Sequence, residues 1–245
     1  MAFFDKILKM QDSIRPICTV VVPAAGTSRR MGGENKLFME LDGVPVLVRT
    51  LQAIDSAAQV DAIIVAAQKE MLEEVAELCK RAQLRKRVRV VCGGATRTES
   101  VLAAALEASP KAKLIAVHDG ARPLVLPSEF DAVIRYACKT NAAAPALPMT
   151  DTIKVADETG LITGTPDRKT LFGVQTPQVF RAEILKAALQ AVVSAGDEVT
   201  DDCAAVERLG KKVYLMEGSR ENIKITTPID VVIAEAILRE RRKNP

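Results

Sequence analysis

An alternation restricts this chain more than any other feature. The runs ICTVVV (17–22), VDAIIVAA (60–67), RVRVVC (87–92), KLIAVH (113–118) and AAAPALP (142–148) are short, apolar and rich in β-branched or small residues. Each has strand length and composition. Between them lie LDGVPVLVRTLQAI, KEMLEEVAELCKRA (69–82), SVLAAALEA and residues 128–139, with apolar residues at helical spacing. Pro45 sits near one predicted helix start, after a DG turn. Strands alternating with helices predict right-handed βαβ units. The expected fold is therefore α/β, a single doubly wound, mostly parallel sheet with helices on both faces. A chain of 245 residues suits one such domain, expected over 17–245, with 1–16 as an N-terminal extension.

The alternation breaks at about 149–177, MTDTIKVADETGLITGTPDRKTLFGVQTP. TIKVAD and GLITGT flank ETG and predict a β-hairpin projecting from the sheet. An isolated hairpin buries little surface. This β-arm is therefore expected to lie on another subunit. Further on, the pattern predicts a helix over 178–194, a polar loop GDEVTDD, a short helix, a strand KVYLME, a loop GSRENIKITTP and a helix from Pro228.

Composition excludes several function classes. Net charge is +3, aromatic residues make up 3% and tryptophan is absent. Neither a nucleic-acid footprint nor a base-stacking platform is expected. The five cysteines, Cys18, Cys79, Cys92, Cys138 and Cys203, are scattered and never at CxxC spacing. That predicts a reduced, cytoplasmic setting without a zinc site. Asp5, Lys6 and Lys9 interrupt the apolar residues of the first sixteen, and no membrane partner is expected.

In an open parallel sheet, ligands bind beyond the carboxyl ends of the strands. Four glycine-bearing polar loops fall there: PAAGTSRRMGGENK, GGATRTES, DGARP and GSRENIK. The first is neither a P-loop nor a GxGxxG fingerprint, because its glycines are Gly26, Gly32 and Gly33. Its small residues let backbone N–H groups approach an anion, and Arg29, Arg30 and Lys36 add charge. In DGARP, Asp119 is either a Mg²⁺ ligand or a turn residue. In GGATRTES, Gly93, Gly94 and Ser100 either meet a nucleotide or form a capped turn with Glu99. His118 is the only histidine, and no GxSxG accompanies it, so it reads as a hydrogen-bonded structural residue.

The ordered set PAAG..RRM....K, GG..R..S, HDGARP, DTIK, DR..LFGVQTPQVF, VTDD and ENIK resembles the 2-C-methyl-D-erythritol 4-phosphate cytidylyltransferase family, from about Thr19 to Leu238. The resemblance implies a Rossmann-like fold of nucleotidyltransferase type. It implies CMP transfer from CTP to methylerythritol phosphate with Mg²⁺ as cofactor, in the non-mevalonate route to isoprenoid precursors. Pro23, Ala24, Ala25, Gly26, Thr27 and Ser28 would grip CTP, with Gly93, Gly94, Ser100 and Gly120. Asp119 would be the metal-side acid, and Arg30 and Lys36 the transition-state cations. Arg168 and Lys224 would position methylerythritol phosphate, in a pocket lined by Arg122, Thr152 and Thr200. The arm would swap over a neighbour, so that Thr152 and Arg168 serve different sites. Two residues depart from the family pattern: Gly120 stands where alanine is common and Ala95 where an acid often follows the glycine pair. Two other readings stay open, a pentitol-phosphate cytidylyltransferase acting on ribitol 5-phosphate and a non-catalytic nucleotide-binding module.

Overall fold

The computed structural model describes residues 17–25 and 35–243. The extension 1–16 and the loop residues Gly26, Thr27, Ser28, Arg29 and Arg30 lie outside the described residues. The strands are β1 (Cys18–Pro23), β2 (Glu40–Leu41), β3 (Val44–Pro45), β4 (Ala62–Ala67), β5 (Arg87–Cys92), β6 (Leu114–Val117), β7 (Ala142–Pro148), β8 (Val155–Ala156), β9 (Ile162–Gly164), β10 (Phe172–Val174), β11 (Gln178–Arg181) and β12 (Tyr214–Glu217). The α-helices are α1 (Val46–Ser56), α2 (Leu72–Arg81), α3 (Arg97–Leu106), α4 (Pro127–Thr140), α5 (Ala182–Ala195), α6 (Asp202–Arg208) and α7 (Pro228–Lys243).

Eight strands form the central sheet in the order β10-β7-β11-β6-β1-β4-β5, with β12 on the outer side of β7. The ladders β1–β4, β1–β6, β4–β5 and β7–β12 are parallel. β11 runs antiparallel between β6 and β7. A doubly wound, mostly parallel sheet is thus what the alternation produces. β1 and β6 are covered on both faces, which is why their sequences read as unbroken aliphatic runs.

Alternation of side chains through β1 divides the core. Val20 and Val22 face α1, α2 and α4, against Leu47, Leu51, Ile54, Val75, Phe130 and Ile134. Val21 faces α3, α5 and α6, against Val101, Leu185, Leu189 and Val206. Each fully buried side chain of this kind contributes about 1.5–3 kcal/mol relative to exposure. Local signals set the joints. Asp42 and Gly43 both take positive φ, at 49° and 72°, and close the β2–β3 hairpin as a DG turn should. Pro127 and Pro228 stand at the first residues of α4 and α7.

Two expectations need correction. Residues 178–181 are not helical. Gln178–Arg181 forms β11, and α5 starts only at Ala182. The backbone of QVFR pairs with β6 and β7, two partners far away in sequence, and these ladders override the local helical spacing. Within 149–177, β8 and β9 form the expected antiparallel hairpin, but β10 joins the central sheet by pairing with β7.

Candidate active site

The carboxyl ends of β1, β4, β5 and β6 open on a cavity of about 310 Å³. β1 leads into it through Pro23, Ala24 and Ala25. Ala24 N–H donates to Ala66 O at 2.7 Å, carrying the β1–β4 ladder past the strand end. Ala25 O accepts from Gln68 Nε2 at 2.7 Å. Lys36 lines the cavity from the far side of the first loop, next to Leu37. Gly120 is packed rather than open, since a Cβ there would lie 3.3 Å from each of Val22, Leu37 and Leu47.

The glycine pair after β5 makes a second wall. A Cβ on Gly93 would meet Ser100 Oγ at 2.7 Å, and one on Gly94 would meet Glu99 Cβ at 2.3 Å. Glycine is therefore sterically required at Gly94, while a side chain at Gly93 would have to displace the Ser100 hydroxyl. Thr96 and Glu99 form a capping box at the start of α3. Glu99 Oε2 also accepts from Ala95 N–H at 2.6 Å. Ser100 is buried, and its hydroxyl is engaged within the loop. It accepts from Gly94 N–H at 3.1 Å and donates to Thr96 O at 2.8 Å. The loop is thus a capped turn that presents the amino end of α3, with its favourable potential for anions, to the cavity.

Asp119 follows β6 and is 8% exposed. Three cations surround it. Lys224 Nζ lies 2.9 Å from Oδ2, Arg122 Nε lies 3.5 Å from Oδ2 and Arg97 Nη2 lies 3.6 Å from Oδ1. Burial pushes the Asp119 carboxyl up, but Lys224, Arg97 and Arg122 outweigh it and hold the group well below the usual carboxylate range. Arg97 also binds Asp202 Oδ2 at 2.8 Å. Burial pushes the Asp202 carboxyl above its ordinary value, against the pull of Arg97. Gln178 places Asp202 by accepting from the N–H groups of Asp202 and Cys203 at the start of α6.

A hydrogen-bonded floor supports Asp119. Asp119 N–H donates to Thr176 Oγ1 at 3.1 Å, and that hydroxyl meets His118 Nδ1 at 3.1 Å. Arg122 Nη1 donates to Asn222 O at 2.7 Å, and Asn222 Nδ2 donates to Thr176 O at 2.9 Å. Gln175 Nε2 donates to Ser219 O at 2.8 Å. DGARP, VQTP and the ENIK loop therefore form one unit, with Lys224 projecting from it into the cavity.

The cavity brings together Pro23, Ala25, Lys36, Gly94, Ser100, Asp119, Gly120 and Lys224 from the residues expected by sequence. Arg122 lies behind Asp119, nearly buried. Thr152, Arg168 and Thr200 are exposed and do not line the cavity of the single chain. Arg168 Nη1 donates to Thr150 O at 2.6 Å, holding the two sides of the arm's base together. Sequence reasoning missed Arg97, Asp202, Gln68, Thr176 and Asn222. The signal for four of them was present, since Arg97 is the arginine of GG..R..S, Thr176 lies in LFGVQTPQVF, Asp202 is the last acid of VTDD and Asn222 belongs to ENIK.

Comparison with known proteins places this geometry. Residues 18–240 match the family model for 2-C-methyl-D-erythritol 4-phosphate cytidylyltransferase. A relative of that name from Trichormus variabilis is 41% identical over 224 residues, covering 91% of this chain and 98% of its own length. Another from Halalkalibacterium halodurans is 40% identical, covering 92% and 98%. The crystal structure of the 4-diphosphocytidyl-2C-methyl-D-erythritol synthase of Anaerococcus prevotii superposes with a TM-score of 0.81 at 28% identity, over 91% of this chain and 99% of that one. The cytidylyltransferase of Thermus thermophilus gives 0.73 at 32% identity, over 91% and 99%. The chain belongs to the 2-C-methyl-D-erythritol 4-phosphate cytidylyltransferase family.

Proposed function

We propose that the protein transfers CMP from CTP to 2-C-methyl-D-erythritol 4-phosphate. Pyrophosphate leaves and 4-diphosphocytidyl-2-C-methyl-D-erythritol forms, a step of the non-mevalonate isoprenoid route. The observation that carries this reading is the charge pattern of the cavity. Lys36, Arg97 and Lys224 line it with Asp119 as the single carboxylate among the described lining residues. Such a cavity suits a ligand that brings several negative charges of its own.

The reaction joins two anions. A phosphate oxygen of the acceptor attacks the α-phosphorus of CTP, and the bond from that phosphorus to the bridging oxygen of pyrophosphate breaks. The acceptor is already ionised near neutral pH, so no general base is required, in keeping with a histidine buried and committed elsewhere. The chain's task is to cancel repulsion and align the groups. Pro23, Ala25 and Gly94 line the cavity and offer their backbone to the nucleotide. Lys36, together with Arg30, answers the charge on the α-phosphoryl group and the departing pyrophosphate. Lys224 and Arg168 steer the incoming phosphate.

Mg²⁺ fits this donor set. It takes one or two carboxylates and completes its shell with phosphate oxygens. Asp119 faces the cavity in its charged form, while no cluster of three or more His, Cys, Asp or Glu exists among the described residues. Asp119 would hold the ion, which would supply charge neutralisation along the triphosphate when bound.

We assign a homodimer on the apolar exposure of the arm. Val155, Leu161 and Ile162 are 50%, 67% and 57% exposed. A second copy lying on them would bring Thr152 and Arg168 to a neighbouring site. The five scattered cysteines are free, and on that ground we place the protein in the cytoplasm. No helix among the described residues is long and apolar enough to cross a membrane.

Pyrophosphate release with CTP, Mg²⁺ and each candidate acceptor tests the reading. Release with methylerythritol phosphate is expected. Release only with ribitol 5-phosphate would reassign the substrate, and release with neither would make the protein a nucleotide-binding module.

A further inference from the structure

We infer that His118 is a positioning residue for the transfer, acting through Asp119 from beneath the cavity floor. This inference rests on the proposed reaction. The imidazole is fully buried and lies 5.4 Å, centroid to centroid, from the Phe130 ring. It touches none of the cavity, yet both ring nitrogens are engaged on either side of Asp119. Arg122 O can only accept, so His118 Nε2 is the donor there, at 3.2 Å, and Nδ1 of the neutral ring accepts from Thr176 Oγ1, 3.1 Å away, which in turn accepts the Asp119 N–H at 3.1 Å.

The two bonds act on one short turn. Arg122 N–H donates to Asp119 O at 3.0 Å, closing residues 119–122 from within. The imidazole closes the same turn from outside, through the carbonyl of Arg122. Through Thr176 it also fixes the amide plane from which Asp119 projects. Lys224, Arg97 and Arg122 neutralise the carboxylate, but long cationic side chains tolerate some displacement of their partner. The backbone brace removes that freedom. This is how an outer group commonly serves a charged group that touches substrate or metal.

Three substitutions and a control test it. His118→Phe keeps the ring's shape and removes both bonds. His118→Asn keeps an acceptor near Nδ1, and His118→Gln keeps a donor near Nε2. With wild-type turnover established first, a failure of the proposed reaction is separated from a failure of this inference. The folded fraction of each variant comes from thermal unfolding and from CTP binding by calorimetry. We expect His118→Phe to lower kcat per folded molecule by about tenfold or more, as loss of an outer-shell partner does. The KM for CTP should stay within about threefold of wild type, the split expected when a contact matters mainly in the transition state. His118→Asn and His118→Gln should each recover part of the loss. Phe130→Leu, which alters packing against the ring and none of its hydrogen bonds, should lower the melting temperature with kcat unchanged. A kcat near wild type in folded His118→Phe would overturn the inference. So would the same kcat loss in Phe130→Leu, or kcat values in His118→Asn and His118→Gln no better than in His118→Phe. If His118→Phe does not fold, the kcat values of the Asn and Gln variants decide: wild-type turnover in both overturns it.

Discussion

The Arg97–Asp202 pair offers a sharp test of how the site is held together. Arg97→Met removes the guanidinium and keeps most of the apolar stem. Asp202 is 1% exposed, and its Oδ1 already lacks a hydrogen-bond partner among the described residues. Removing one partner of a buried ion pair costs about 3–5 kcal/mol, because the other charge is left in a poor medium. The Arg97 side chain is 34% exposed, which moves the loss toward the small values of surface pairs. We expect about 2–3 kcal/mol at neutral pH, or a fall of roughly 1 M in the urea midpoint for an m-value near 2–3 kcal/mol/M. The sign of the pH dependence follows from burial. Burial raises the Asp202 carboxyl above its unfolded value even against the pull of Arg97, and removing Arg97 raises it further. The folded variant then binds that proton more tightly than the unfolded chain, so the variant loses stability as pH rises through the folded pKa and regains it as pH falls. Urea unfolding at pH 7.5 and at pH 5 should therefore show a deficit against wild type that shrinks in acid. Asp202→Asn added to Arg97→Met should recover much of the loss at pH 7.5. A deficit equal at both pH values, or one below about 0.5 kcal/mol, would refute the reasoning, since surface substitutions away from such features lie in that range.

Other consequences concern the reaction and the assembly. Lys36→Ala should lower kcat by a factor on the order of 10² or more, as loss of a preorganised charge contact does; steady-state turnover near wild type would remove Lys36 from the mechanism. Arg168→Ala should raise the KM for methylerythritol phosphate more than that for CTP, and equal rises in both would detach the arm from acceptor binding. Gly94→Ala places a Cβ 2.3 Å from Glu99 Cβ, so it should weaken CTP binding measured by calorimetry, and an unchanged affinity would show that the loop yields without cost. Leu161→Asp on the exposed arm should shift the protein toward monomer in sedimentation velocity, and an unaltered dimer would place the interface elsewhere.

What the sequence revealed, and what it hid, divides along one physical line. Burial of a strand on both faces leaves a local mark, so β1, β4, β6 and β7 were legible as aliphatic runs. Turn chemistry is equally local, and the DG hairpin and the proline starts of α4 and α7 fell where their residues required. β11 was misread because QVFR continues into an apolar helical run and its strand character comes from ladders with remote partners. The same holds for the site. That Asp119 and Lys224 arrive at the carboxyl ends could be argued from loop positions. That Arg97 answers Asp202 across 105 residues, or that Thr176 joins His118 across 58, could not. Ser100 carries two readings in the sequence, and the fold combines them: its hydroxyl bonds to Gly94 and Thr96 within the capped turn, while the residue lines the cavity. The cations around Asp119 come from the first residue of α3, from its own turn after β6 and from the segment after β12. Only the strand order brings those three segments to one carboxylate. The charge of the cavity is therefore a property of topology, whereas each loop taken alone reads as an ordinary polar connection.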